Sequence, residues 1–133
     1  MTFEGFKKYL SKVGEKEEKF DETYERMKKI AYYMIASVSS KIKRKQFTFE
    51  LFGLDYMLDE DLKPYLIEAN SNPSLENTGK IMGSLIYHLV DNVIMTALDP
   101  IFPPPSNIKK PTEHIPMDYF EWNRMELIFS SKN

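Results

Sequence analysis

The 133-residue chain contains no cysteine, which excludes disulfides and thiolate metal sites. Its two histidines, His88 and His114, are too far apart in sequence to form a local ligand pair, so any metal would have to be held by oxygen. Long apolar runs are missing as well. None approaches the ~20 residues of a membrane span, and the start MTFEGFKKYL lacks the apolar centre of a signal peptide. These absences predict a soluble cytoplasmic protein with no membrane partner. A large excess of either charge sign is also lacking: the net charge of -2 gives no general attraction to nucleic acid, and none is expected as a partner. What remains is 42% hydrophobic, 14% aromatic and 29% charged, a globular composition, over a length that fits one domain or part of one.

Along the chain, Phe3, Phe6 and Leu10 predict a short helix, and GEKEEK at 14–19 a loop. Phe20, Tyr24, Met27, Ala31, Met34 and Val38 then alternate four and three apart, one stripe of a helix about twenty residues long. Lys41, Lys43, Arg44 and Lys45 follow, where cations would complement the helix dipole; a docking patch for an acidic partner and a calmodulin-target helix are the competing readings. The run 46–59 is rich in aromatic and branched residues on both pleat faces and predicts a strand covered on each side. DEDLKP at 59–64 is turn chemistry and YLIEAN a second strand, so the pair predicts a hairpin. Ile81, Leu85, Leu89, Val93 and Ala97 predict a second buried helix, capped near Asn77 or Thr78 and stopped before Pro100. PPP at 103–105 and Pro111 make residues 100–116 a helix-free connector, and periodicity leaves 117–129 open between strand and helix.

The chemistry concentrates where an apolar run ends in YLIEANSNPSL, 65–75. If the hairpin pairs Asp55 with Glu68, then Asp55, Glu68 and Asn70 share one face, because opposed residues and residues two apart project to the same side. Two carboxylates held close repel each other unless a proton or cation intervenes, and hard oxygen donors favour magnesium, which completes its shell with water and phosphate oxygens. A magnesium-nucleotide site is one reading. Solvated or turn-capping side chains are the other.

The stretch FELFGLDYMLDEDLKPYLIEANSNPSL, 49–75, resembles the signature of the tubulin-tyrosine-ligase-like family, whose catalytic core is an ATP-grasp fold. The resemblance rests on the aromatic-Glu-Leu-aromatic-Gly lead-in, Asp55, the Met-Leu-Asp turn, Lys63-Pro64, and the run with Glu68, Asn70, Pro73, Ser74 and Leu75. FEGFKKYL and LVDNVIMTALDPIF resemble the flanking segments more loosely. The resemblance implies an α+β fold, the C-terminal part of an ATP-grasp domain over 1–133 with an antiparallel hairpin packed against two long helices. It also implies ATP-dependent ligation of tyrosine, glutamate or glycine to a tubulin tail through an acyl phosphate, with ATP and magnesium as cofactors. Tubulin or microtubules and a free amino acid would be the partners, in the cytoplasm on the cytoskeleton, including the axoneme of a cilium or flagellum. Asp55, Glu68 and Asn70 take the metal-binding positions, and Met57 and Ile67 join Glu68 and Asn70 as nucleotide-binding residues. Simple alternation would put Met57 and Ile67 on opposite faces. Many relatives have valine where this chain has Ala69.

The family's nucleotide-gripping lysines and phosphate-contacting arginine lie upstream of the resembling segment. The chain therefore matches the C-terminal third of such an enzyme, no catalytic residue is assigned to it, and alone it is expected to be inactive and to expose excess apolar surface. A fragment, a shortened reading of a longer gene and a degenerate paralogue are all compatible with this. Two functions follow: the metal-binding segment of a tubulin–amino-acid ligase, or a non-catalytic tubulin-binding module of the same fold. The paired carboxylates favour the first.

Overall fold

The computed structural model describes residues 2–15, 17–43, 45–107 and 125–131. They form two compact units, Met1–Pro73 with Leu127–Asn133, and Ser74–Glu126. Helices together with a two-stranded antiparallel sheet make the fold α+β, as expected.

In the first unit, α1 (Phe3–Lys12) begins at Thr2, whose hydroxyl accepts a hydrogen bond from the Gly5 N–H at 3.0 Å. Glu4 in its first turn and Lys12 in its last suit the helix dipole. Gly14, with φ of 85°, takes the left-handed conformation that turns the chain out of the helix. The next helix, α2 (Glu17–Val38), packs Phe20 against Phe3 and Phe6 at ring-centroid distances of 5.4 and 5.9 Å. Phe20 and Leu10 are the buried apolar side chains of this helix pair, and burying Phe20 contributes about 2 kcal/mol.

The hairpin consists of β1 (Gly53–Leu58) and β2 (Pro64–Asn70). Asp59 organises its turn. One carboxylate oxygen accepts the N–H groups of Asp61 and Lys63 at 3.1 and 2.8 Å, and the other accepts the Tyr65 hydroxyl at 3.2 Å. These bonds hold Leu62 at φ of 60°, a conformation a branched side chain rarely adopts.

Two hydroxyls tie α2 to the hairpin. Thr23 is 3% exposed, and its hydroxyl lies 2.9 Å from the Leu62 carbonyl and 2.8 Å from that of Lys19, so its one proton is shared between them. Tyr56 donates to the Met27 carbonyl at 2.9 Å, and burial pushes its phenol above the ordinary value, keeping it protonated as a donor. The apolar stripe read from the sequence omitted Thr23, because a threonine among charged neighbours carries no hydrophobic signal.

Several expectations are corrected here. The strand does not begin at residue 46: Phe47 has φ of 59°, which breaks extended backbone, and pairing starts at Gly53. One sheet face is exposed rather than covered, with Met57 64% and Ile67 59% accessible. The lysines after α2 do not complement its dipole, since the helix ends at Val38 with no basic residue in its last turn and the effect fades within a turn. Of the segment left open between strand and helix, 117–124 lies outside the described residues, while 125–129 is neither; Phe129 packs its ring edge-on against Tyr32 at 5.6 Å.

The second unit is built on α3 (Lys80–Val93), which runs on into a π-helical turn, Ile94–Leu98. The N-cap position is Gly79, with no side-chain cap bond, rather than Asn77 or Thr78 as expected; the Asn77 side-chain oxygen accepts the Gly79 N–H at 3.3 Å in an Asx turn just ahead of the helix. Helical structure ends before Pro100 as expected, and 103–105 is neither helix nor strand, with 108–116 outside the described residues. The expectation of a buried helix fails: Ile81, Leu85, Val90 and Ile94 are all exposed. Lys80–Leu98, 19 residues, is also long and apolar enough to cross a membrane by length and composition, which corrects the reading that no run approaches that length. The core helix of a soluble protein meets the same criterion.

Two measurements check the first unit. Thr23→Val removes the proton that the Leu62 carbonyl accepts and should cost on the order of 1 kcal/mol in urea unfolding. Asp59 should make stability acid-sensitive. Its carboxyl lies below the ordinary aspartate value, chiefly through the Lys63 N–H bond, so its contribution is present above the unfolded pKa and is lost as pH falls through the folded one. Thermal unfolding should show this loss in the acid range below the ordinary aspartate value, and Asp59→Asn should flatten that part of the profile.

Candidate functional site

The hairpin pairs Leu58 with Pro64, Met57 with Tyr65 and Tyr56 with Leu66 in regular antiparallel register. Continued without interruption, that register would set Asp55 opposite Ile67 and send Glu68 to the other pleat face. It is interrupted. Between Asp55 and Tyr56 the ladder shifts by one, so that Asp55 pairs with Glu68, Leu54 with Ala69 and Gly53 with Asn70. Ile67 is the extra residue of a β-bulge, a device that re-aims side chains.

The result is a polar corner at the open end of the hairpin, where Asp55, Glu68 and Asn70 are all exposed. The Asn70 amide nitrogen donates to Asp55 Oδ2 at 3.2 Å and to Glu68 Oε1 at 3.0 Å. One NH2 group thus bridges two carboxylates that would otherwise repel each other. The reverse orientation, with the amide oxygen toward them, would place three acceptors together without a proton.

Beside this corner on the accessible side lie Met57, Tyr65 and Ile67. Tyr65 pairs with Met57 across the ladder and therefore shares its face. Ile67, the bulge residue two positions beyond Tyr65, is accessible like Met57, which corrects the expectation that the two lie on opposite faces. Tyr65 has no signal in the sequence pattern, because a ladder continued without interruption from Asp55 and Glu68 pairs it with Leu58 on the other face, whereas the turn pairs it with Met57. Lys63 lies over the Tyr65 ring, its ammonium 5.0 Å from the centroid.

Among the described residues no group of three or more His, Cys, Asp or Glu side chains is assembled to hold a metal. The corner offers two carboxylates and one amide, an oxygen-donor set that suits a hard cation whose remaining ligands are water or phosphate oxygens. A concave surface lined by Gly83, Ile86, Tyr87, Val90, Asp91 and Ile94 lies in the other unit and contains none of these side chains.

The chain belongs to the tubulin-tyrosine ligase family, whose family model matches residues 1–110. Three relatives illustrate the breadth of that family. The chain is 46% identical over 59 residues to a Tetrahymena thermophila protein named "Probable alpha-tubulin polyglutamylase", covering 44% of this chain and 14% of that one. It is 29% identical over 94 residues to tubulin glycylase 3A of Drosophila melanogaster, 71% of this chain and 10% of that one. It is 41% identical over 54 residues to a Schizosaccharomyces pombe protein named "Probable tubulin--tyrosine ligase", 41% of this chain and 13% of that one. The chain therefore spans about a tenth of the length of the curated relatives it matches. No solved structure matches it.

Asn70→Asp tests the electrostatics of the corner. It replaces the bridging donor with a third carboxylate, so without divalent cation the melting temperature should fall, and added magnesium should restore it more than in the parent chain. A variant indifferent to magnesium would show that the three side chains do not act on a common point.

Proposed function

We propose that this chain supplies the magnesium-nucleotide corner of an ATP-dependent ligase that joins glutamate, glycine or tyrosine to tubulin tails. The observation that carries the reading is the bulged register, which sets Asp55 opposite Glu68 with the Asn70 amide between them. Family membership supports the reaction class. The relatives named above act with different amino acids, so likeness over this stretch does not select among the three.

In this reading residues 1–133 form the C-terminal part of an ATP-grasp domain, with 100–116 as its connector. Asp55 and Glu68 bind the cation through carboxylate oxygens. Asn70 can ligate only through its carbonyl oxygen, so its amide turns over from the donor orientation seen here. Magnesium, when bound, neutralises charge on a transferring phosphoryl group. Met57, Ile67 and Tyr65 provide an accessible apolar surface beside the corner for the adenine ring of ATP. Free amino acid and tubulin complete the set of partners, which locates the reaction in the cytoplasm on microtubules, axonemal ones included.

A second reading has one observation in its favour. Lys41, Lys43 and Lys45 are exposed beyond the end of α2, where the helix dipole does not account for them. A basic segment of this kind suits an acidic tail whether or not ligation follows.

A chimaera distinguishes the two. Residues 49–75 of this chain, placed in the corresponding segment of an active relative, should sustain ligation, and Glu68→Gln in that chimaera should lower turnover on the order of a hundredfold or more with the fold intact. Normal turnover with Glu68→Gln would transfer support to the binding module.

A further inference from the structure

We propose that Gly53 is a positioning residue for the polar corner: its bare Cα lets Pro73 seat against the start of β1 and thereby fixes the strand end that carries Asn70. The inference rests on the reading of Asp55, Glu68 and Asn70 as a cation site. Gly53 pairs directly with Asn70 across the ladder and stands two residues before Asp55, on the same face. A Cβ built at Gly53 would lie 3.0 Å from Pro73 Cβ, 3.9 Å from Pro73 Cγ and 3.9 Å from Asn70 Cβ.

Nothing in the backbone at this position calls for glycine. Gly53, unlike Gly14, is not in the left-handed region, so alanine could adopt the same dihedrals. At the first residue of β1 a glycine leaves room for close approach by another part of the chain. Here that approach is Pro73. A flexible side chain could rotate away from a new methyl group, but the proline ring is fixed to its own backbone. The strain would pass to Ser71 and Asn72, the two residues between Asn70 and Pro73, which leave the ladder at the point where the Asn70 amide must reach both carboxylates.

The test uses the 133-residue chain labelled with nitrogen-15, the Asn70 side-chain amide signals as the local readout, and Mn2+ as the cation probe. In the parent, Mn2+ should broaden the Asn70 amide signals. Gly53→Ala should shift those signals in the metal-free protein and weaken Mn2+ binding on the order of tenfold, the usual scale for loss of a supporting residue, while backbone amide signals of α1 and α2 stay in place. Gly53→Ala with Pro73→Gly, which clears the site of the new methyl, should return both readouts toward the parent. Unchanged Asn70 signals and Mn2+ midpoint in Gly53→Ala would overturn the proposal, as would failure of the double variant to restore them. If Gly53→Ala unfolds the hairpin, the double variant decides alone by recovering or not recovering the parent spectrum. Failure of the cation reading is separately visible: Mn2+ would then leave Asn70 sharp in the parent, and the metal-free spectra would still decide whether Gly53 holds Asn70.

Discussion

The polar corner depends on one extra residue in one strand. The Asp59 turn fixes the register at the closed end of the hairpin, and that register by itself would separate Glu68 from Asp55 by the thickness of the sheet. The bulge at Ile67 shifts the pairing by one residue and reverses the parity of everything beyond it. Turn and bulge therefore have to act together. Asp59 determines where the ladder starts, Ile67 determines which face the second half presents, and the convergence of Asp55, Glu68 and Asn70 is the consequence.

The same two features determine what faces α2. Tyr56 and Leu66 pair before the bulge and are partly buried, and Tyr56 reaches through this side of the sheet to the Met27 carbonyl. Thr23 makes the second link, to the Leu62 carbonyl of the turn itself. The turn is thus held from within by the Asp59 carboxylate and from outside by α2. A hairpin of two strands is marginal alone in water, and these hydroxyl bonds to a helix supply the support it lacks.

Much of this was legible from residue order, and what was not has identifiable physical causes. The spacing of Phe20, Met27 and Met34 showed α2 because helical periodicity persists for six turns, and DEDLKP showed the turn because its residue types have few other uses. The pairing of Asp55 with Glu68 could be posed from chemistry, as two carboxylates that need a common partner. The bulge that produces it could not, since an inserted residue leaves no mark in a period-two pattern. The reach of β1 was overread because Gln46-Phe47-Thr48 has strong strand propensity, and propensity is overridden where Phe47 takes a left-handed turn. The apolar stripe of α3 predicts burial only on the ordinary rule that such a stripe has a cover. Periodicity shows which face would be buried, not whether the covering surface lies within the chain.

In the proposed reading of the corner as a cation site, residue 70 would meet demands in two states. Without a cation, Asp55 and Glu68 need a hydrogen-bond donor between them, and the Asn70 NH2 supplies protons to both. With a cation between them they would need a further oxygen ligand, which the other end of the same amide would supply. Aspartate satisfies only the second state and adds repulsion in the first; lysine satisfies only the first and would hold the cation's place permanently. Asparagine meets both through rotation about one side-chain bond. On that reading the third member of the group carries no charge because it serves both states, and the strand end bearing it would be held in place while the amide itself turns.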